Sequence, residues 1–413
     1  MKTHGKEYAN DRRDNKIRRK GGQGMSEWKK VKLGEIASTI QTGPFGSQLH
    51  QSDYSDEGTP VVMPKDIVNG CISETSIARV EDDHVKRLSR HVISEGDIIY
   101  ARRGDVGKCA YATKPQTGWL CGTGCLKVTI NPQIAVPKFV FFQLQKQETI
   151  GWVEKHAIGA TMLNLNTSIL SDVPIELPSL SVQNRIVEIL SRYDTLIENY
   201  QKQIKLLEEA AQRLYKEWFV ELRFPGHENT KMVDGLPEGW KITKLGQLAE
   251  FKRGKTITKK EAIEGNIPVV AGGLEPAYYC DKSNTTNRVI TISGSGANAG
   301  YTRMYFEKVW ASDCSFADTS TTDYLHFVFC FLRENKTVID NMQKGAAQPH
   351  VYAKDINSME LLLPIKKILI LHEQRVSRFF DTIESLQSQI RLLTEARDRL
   401  LPRLMGGEIN VIL

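Results

Sequence analysis

Three loops carry side chains able to read a nucleic acid. One is Gly43-Pro44-Phe45-Gly46-Ser47-Gln48, another Arg102-Arg103-Gly104-Asp105-Val106-Gly107-Lys108, and the third Ser293-Gly294-Ser295-Gly296-Ala297-Asn298-Ala299-Gly300. Glycines let a backbone approach a partner closely, while Ser, Asn, Gln and Arg bond phosphates and base edges. The residues with fitting chemistry are Gly43, Phe45, Ser47, Gln48, Lys65, Arg102 and Arg103 in the first half of the chain. In the second half they are Lys252, Arg253, Lys255, Ser293, Ser295, Asn298 and Gln348. Taken singly, each loop is a turn as readily as a binding surface. The basic run Lys252, Arg253, Lys255, Lys259 and Lys260 is a solvated face as readily as a phosphate contact.

Catalytic chemistry finds little support. Gly104 to Lys108 is too short for a G-x-x-x-x-G-K-[ST] phosphate loop, and Gly294 to Gly300 lacks dinucleotide-binding G-x-G-x-x-G spacing. No Asn-Pro-Pro-aromatic or Asp-Pro-Pro-aromatic tetrapeptide, of the kind adenine methyltransferases use, is present. The nuclease-like Glu250-Phe251-Lys252, with Asp234 upstream, has no counterpart at Ser38, Thr39 and Ile40. The seven cysteines are irregularly spaced. Cys121 and Cys125 lack a second pair or neighbouring histidines, so idle thiols are expected rather than a metal site. No catalytic residue and no metal ligand is assigned.

The elements that position these loops come from an internal repeat. Trp28 to Ala37 (WKKVKLGEIA) returns as Trp240 to Ala249 (WKITKLGQLA), an offset of 212. Further on the offset is 186: Gly159-Ala160 matches Gly345-Ala346, Val173, Ile175, Leu177 and Pro178 match Met359, Leu361, Leu363 and Pro364, and Gln201 to Leu214 matches Gln387 to Leu400. The unit is a globular domain followed by a helix, present twice, and the second domain is shorter in its middle by about 26 residues.

The helices have a heptad seam. Apolar or aromatic residues fall at Ile186, Leu190, Tyr193, Ile197, Tyr200, Ile204, Leu207, Ala211, Leu214 and Trp218. In the second copy they fall at Phe379, Ile383, Leu386, Ile390, Leu393, Leu400 and Leu404, with Arg397 the one break. Each helix should span roughly 55–60 Å at 1.5 Å per residue. Two matching seams in one chain favour intramolecular pairing, with Leu190, Ile197, Ile204, Leu207, Ile383, Ile390 and Leu393 at the contact. An antiparallel pair would set the globular parts at opposite ends about an approximate two-fold axis.

The globular parts mix short strands, turns and one helix each, over Lys138 to His156 and Tyr324 to Gln343, with strands near Gly96–Tyr100 and Arg288–Ile292. The fold class is mixed α/β. The division is a 1–25 leader, a recognition domain at 26–178, a helix at 179–222, a linker at 223–239, a second recognition domain at 240–364, a helix at 365–406 and a tail at 407–413. The net charge is +6, but residues 1–25 hold eight Lys or Arg and three Asp or Glu, so the remainder is close to neutral. The leader, expected to be disordered, is explained equally by translation that starts at Met25, after the Lys20-Gly21-Gly22 codons. A chain beginning at Met1 in an intact-mass measurement would exclude that. There is no secretory signal and no apolar run long enough to cross a membrane, so a cytoplasmic protein is expected.

The motifs in order resemble the Type I restriction–modification specificity subunits, over nearly all of the chain from Met25. GPFGSQL at 43–49, Ser52-Asp53-Tyr54 and GTPVVMPKDI at 58–67 look like one target recognition domain; GNIPVVAGG at 265–273 and ISGSGANAGY at 292–301 look like another. LYKEWFVELRFPGHE at 214–228, LPEGW at 236–240 and RLLPRLMGGEI at 399–409 are similar to the family's helix-end and linker segments. The resemblance implies a non-catalytic reader of double-stranded DNA. Each recognition domain would contact one half of a bipartite site, and the helix pair would fix the gap between halves. Two methyltransferase subunits would dock and methylate adenine, and motor–nuclease subunits would join for restriction. S-adenosylmethionine, ATP and magnesium would belong to those partners. Unequal inserts imply an asymmetric site. A near-neutral reader alone should bind DNA weakly. Other readings are a stand-alone enzyme, a silent or spare specificity allele, and a coiled-coil scaffold without a DNA role.

Overall fold

A computed structural model describes residues 28–159, 163–345 and 349–411. The leader and Gln348 lie outside the described residues. The chain forms two compact units, one of Thr195–Thr394 and one of the segments before and after it, up to Asp194 and from Glu395. Both boundaries fall inside long helices, Leu180–Phe219 and Lys366–Met405. Each unit is therefore a globular domain plus a part of both helices, the larger part falling in the second unit.

In both units the repeat shows in strand register. Lys29 to Lys32 pairs antiparallel with Pro174 to Leu177, Lys29 opposite Leu177; Lys241 to Lys244 pairs likewise with Glu360 to Leu363, Lys241 opposite Leu363. One strand follows the offset of 212 and its partner that of 186. The short helix after each first strand is tied by the same bond: the Leu33 N–H donates to the Val173 carbonyl and Leu245 to Met359, both at 2.9 Å.

The main sheets also match. Ala37–Thr42, Cys125–Ile130, Ile98–Ala101 and Cys109–Tyr111 lie side by side in that order; in the second unit the order is Lys252–Arg253, Cys314–Asp318, Val289–Ser293 and Thr302–Tyr305. Ile98–Ala101 and Val289–Ser293 are buried along their length, as continuous apolar runs in a covered sheet require. Each unit adds a smaller sheet with one parallel pair, Leu120 on Val61 and Trp310 on Val269. Most of the shortening of the second copy lies between Val62 and Ile98, where the second unit needs only Val270 to Ile290. The hairpin Ile67–Val68 with Cys71–Ile72 and the helix Asp82–Arg87 occupy that stretch of the first unit.

The single helix expected in each domain is two. Pro137–Leu144 and Gln147–His156 are separated by Lys146, which is extended (φ −63°, ψ 140°). Leu325–Glu334 and Lys336–Asn341 break at Asn335 (φ −96°, ψ 23°), whose backbone N–H and side chain both donate to the Phe331 carbonyl, at 3.0 and 2.9 Å.

The helices pair in antiparallel order, visible within each unit. In the first, Val182, Ile186 and Leu190 share a core with Leu404 and Met405, and Leu400 and Leu401 pack against it. In the second, Ala211, Tyr215 and Trp218 share a core with Ile368, Val376, Phe380 and Ile383, with Ile204 and Leu207 packed against it. Ile197 is buried, whereas Ile390 and Leu393 are half-buried.

Arg397 breaks the apolar seam with a charge, and the structure gives that charge a partner. Its guanidinium reaches Asp194 Oδ1 at 3.0 Å, while Lys138 Nζ lies 3.6 Å from the other oxygen. Asp194 thus links the globular part of the first unit to both helices. Asp194→Ala would take from Lys138 its carboxylate partner and leave Arg397 with Asp398 alone, at 2.9 Å, and should lower the stability of this unit by about 1 kcal/mol, whereas Arg397→Leu, which completes the seam, should be near neutral. Thermal unfolding of both variants measures this.

Among the described residues no helix is long and apolar enough to cross a membrane. All of the cysteines except Cys71 are buried. Burial pushes the thiols of Cys109, Cys121 and Cys314 up to about 12, so they stay protonated at neutral pH.

Candidate nucleic-acid interface

In each unit the loops at the ends of the main sheet meet, held by backbone hydrogen bonds that correspond one for one. In the first unit the Gly43 N–H donates to the Cys125 carbonyl (2.9 Å), Arg102 to Gly124 (2.8 Å), Leu165 to Arg102 (2.8 Å) and Gly104 to Leu163 (3.3 Å). In the second, Gly254 donates to Cys314 (2.8 Å), Gly294 to Asp313 (3.1 Å), Val351 to Gly294 (3.1 Å) and Gly296 to Pro349 (3.0 Å). An isolated bridge joins Arg103 to Asn164 in one unit and Ser295 to His350 in the other. The backbone scaffold is common, and the side chains on it differ: Arg102 stands where the other copy has Gly294, and Arg103 where it has Ser295.

Two glycines make the scaffold possible by close approach. A Cβ on Gly43 would lie 2.0 Å from the Gly122 carbonyl oxygen, and one on Gly254 would lie 2.3 Å from that of Ser312. Gly43 is therefore buried packing, not an exposed DNA contact as the sequence suggested. Ser293 needs the same correction: it is 4% exposed and its hydroxyl donates to the Gly272 carbonyl at 3.2 Å, bracing the loop. Gly104 (φ 76°) and Gly296 (φ 81°) have open space around them and serve the turn, since that left-handed backbone suits glycine.

The other expected residues divide by exposure. Phe45 is 55% exposed, and the Arg102 guanidinium lies 5.9 Å from its ring centroid. Arg102 Nε is buried without a hydrogen-bond partner, as is Asn164 Oδ1. Arg103 and Ser47 are exposed, whereas Gln48 is half-buried and accepts the Phe45 N–H at 3.1 Å, closing its own loop. Lys65 is exposed, its ammonium 3.0 Å from the Ser76 carbonyl. Lys108 and Asp105 form an exposed pair at 2.7 Å, worth little energetically and easily exchanged for a phosphate.

In the second unit Lys252 and Arg253 are exposed on a two-residue strand that pairs with Phe316 and Ser315. Lys255 follows, its N–H bonded to the Ala311 carbonyl. These three lie beside the 311–314 segment that also holds Gly294. Ser295 donates its hydroxyl to Asp313, and Asn298 reaches the Gly272 carbonyl at 3.4 Å. Asn164, Asp313 and His350 were not singled out from the sequence. The offset of 186 that relates Asn164 to His350 was the signal available for those two; Asp313, the counterpart of Gly124, had none.

The family model for the Type I restriction modification DNA specificity domain matches the chain twice, over residues 25–209 and 237–395. The Type I restriction enzyme MjaIX specificity subunit of Methanocaldococcus jannaschii is 28% identical, the alignment covering 94% of this chain and 95% of that one. The HindI specificity subunit of Haemophilus influenzae is 21% identical over 93% of this chain and all of its own length (100%). A solved Type I restriction–modification S subunit from M. genitalium aligns with a TM-score of 0.55 at 18% identity, covering 91% of this chain and 96% of that one. At that identity the likeness speaks for the fold.

Proposed function

From the premise that this chain belongs to the Type I restriction–modification DNA specificity family, we propose that its two loop clusters read the two unequal halves of one DNA site. The chain is the non-catalytic specificity subunit of such a system. The observation that carries the reading is the shared backbone scaffold, four corresponding hydrogen bonds under dissimilar side chains. A scaffold of that kind holds geometry constant while the contacts vary, which is how one domain design serves different sequences.

The division of labour follows from what each part offers. Arg102, Arg103, Ser47, Ser295 and Asn298 carry the donor patterns that discriminate base edges. Lys65, Lys252, Arg253 and Lys255 suit phosphates, which set register and affinity. The helices, each of about 60 Å at 1.5 Å per residue, are long enough to space two half-sites one DNA turn (~34 Å) apart. Two methyltransferase subunits supply adenine methylation and motor–nuclease subunits supply restriction; S-adenosylmethionine, ATP and magnesium act in those subunits.

The test is sequencing of methylated adenines in the host with and without this gene. A bipartite asymmetric motif that disappears on deletion is the expected result. A methylome unchanged by deletion defeats the reading and leaves a silent allele or a scaffold.

A further inference from the structure

The two loop clusters differ in one respect that the loop sequences do not reveal. At the start of the helix Thr167–Ser171 in the first unit, Asn166 caps the helix in the usual way, its side chain accepting the Ile169 N–H at 2.8 Å. The equivalent residue in the second unit is Tyr352, which makes no side-chain cap and is 40% exposed. An aromatic ring in water replaces a stabilising cap, and its surroundings are basic. Lys344 Nζ lies 6.0 Å and Lys354 Nζ 5.8 Å from the ring centroid. The His350 ring stacks on it at 6.0 Å with an interplanar angle of 13°. The first unit has Ile158, Asn164 and Ser168 at these three positions. His350 is also the residue bridged to Ser295, so the cluster adjoins the reading loop. Lys344 is paired with Asp355 at 2.9 Å, both near the surface; Lys354 is exposed, with the Tyr352 ring beside it.

We propose that Tyr352, with Lys344, His350 and Lys354 around it, is a DNA-backbone anchor of the second recognition domain that the first domain lacks. The flat ring packs on deoxyribose, its hydroxyl reaches a phosphate oxygen, and the lysines neutralise adjacent phosphates. The frame is otherwise equal, so the second half-site should be held more tightly and with a steeper dependence on salt. This rests on the DNA-reading role proposed above.

The test uses the specificity subunit assembled with its methyltransferase subunits. Binding is measured on a duplex carrying the host-methylated motif and on a scrambled duplex, from low to physiological salt. The variants are Tyr352→Asn, Lys354→Gln and Tyr352→Phe. The expected result for Tyr352→Asn and Lys354→Gln is a loss of about 10-fold on both duplexes, and Lys354→Gln should reduce the salt slope by about 0.9. The methylated motif should not change, and Tyr352→Phe should fall between wild type and Tyr352→Asn. Lys354 is exposed, so its variant remains informative if Tyr352→Asn proves unstable. Unchanged affinity and slope in Lys354→Gln overturn the proposal, as does relaxation of a single base position, which would make the cluster a base reader. Absence of motif-specific binding by the wild-type complex would instead strike the DNA-reading role.

Discussion

Gly43→Ala and Gly254→Ala are each expected to disable one half of the protein. At Gly43 the added methyl would sit 2.0 Å from the Gly122 carbonyl oxygen and 3.1 Å from that of Cys121; at Gly254 it would meet the carbonyls of Ser312 and Ala311 at 2.3 and 2.6 Å. Both obstacles are backbone in a buried turn, which yields far less readily than a side chain. Relief requires moving the strand end, which breaks the bond from Gly43 to Cys125 or from Gly254 to Cys314. The cost is that of overpacking plus a lost buried hydrogen bond, about 3 kcal/mol. Because the two loop clusters lie in separate units, Gly43→Ala should disturb the first and leave the second intact. Amide hydrogen exchange should show protection lost in 43–49 and 122–125 for Gly43→Ala, and in 252–256 and 311–314 for Gly254→Ala. Loss of protection in both units from either change would contradict this account.

His372→Ile should stabilise the second unit. His372 is wholly buried (0% exposed) on the second long helix, ringed by Tyr215, Trp218, Phe219 and Phe327, with Phe219 nearest at 4.9 Å between centroids. Neither ring nitrogen has a hydrogen-bond partner. Burial, reinforced by His326, pushes its pKa down to about 3. The repeat offers a natural replacement, since the equivalent residue is Ile186, 1% exposed in the first core. Removing two unsatisfied polar atoms recovers about 1–3 kcal/mol, less some ring packing, so a gain of about 1–2 kcal/mol at pH 7 is expected. The pH dependence has a definite sign. Unfolding raises the imidazole to about 6.5, so the unfolded chain binds a proton that the folded chain refuses. This contribution to stability is complete above about pH 6.5 and is lost as pH falls from there toward 3, by up to about 1.4 kcal/mol per unit. His372→Ile should remove that slope. Denaturant melts at pH 7.5 and 5.0 test it, and equal pH sensitivity in variant and wild type would refute it.

Much of the architecture was legible in the sequence because the duplication preserves what packing requires. Offsets of 212 and 186 reappear as Lys29 opposite Leu177 and Lys241 opposite Leu363. The heptad seam located two helices of 40 residues each, and Arg397, its one break, took a charged partner. The site was less legible. Arg102 and Gly294, or Arg103 and Ser295, share no chemistry, so no comparison of side chains could align the second loops; only their backbone bonds do so. Glycine roles were hidden for a similar reason. Gly43 and Gly104 both lie in loops that hold two glycines, yet one is packed against a carbonyl and the other turns in open space. Tyr352 gave no signal by itself, because a lone aromatic between Val351 and Ala353 reads as ordinary packing until its cap-forming counterpart, Asn166, is placed beside it.

If the two equivalent scaffolds read different half-sites independently, a change to one should leave the other half of the motif as it was. The most direct measurement is the methylated-adenine motif written in cells by two variants, one with Arg102 and Arg103 changed to Ala and one with Ser295 and Asn298 changed to Ala. The first pair should relax positions in one half of the motif, the second pair positions in the other half, with the gap between halves unchanged. A motif altered in both halves by either pair, or in neither half by both, would contradict that independence.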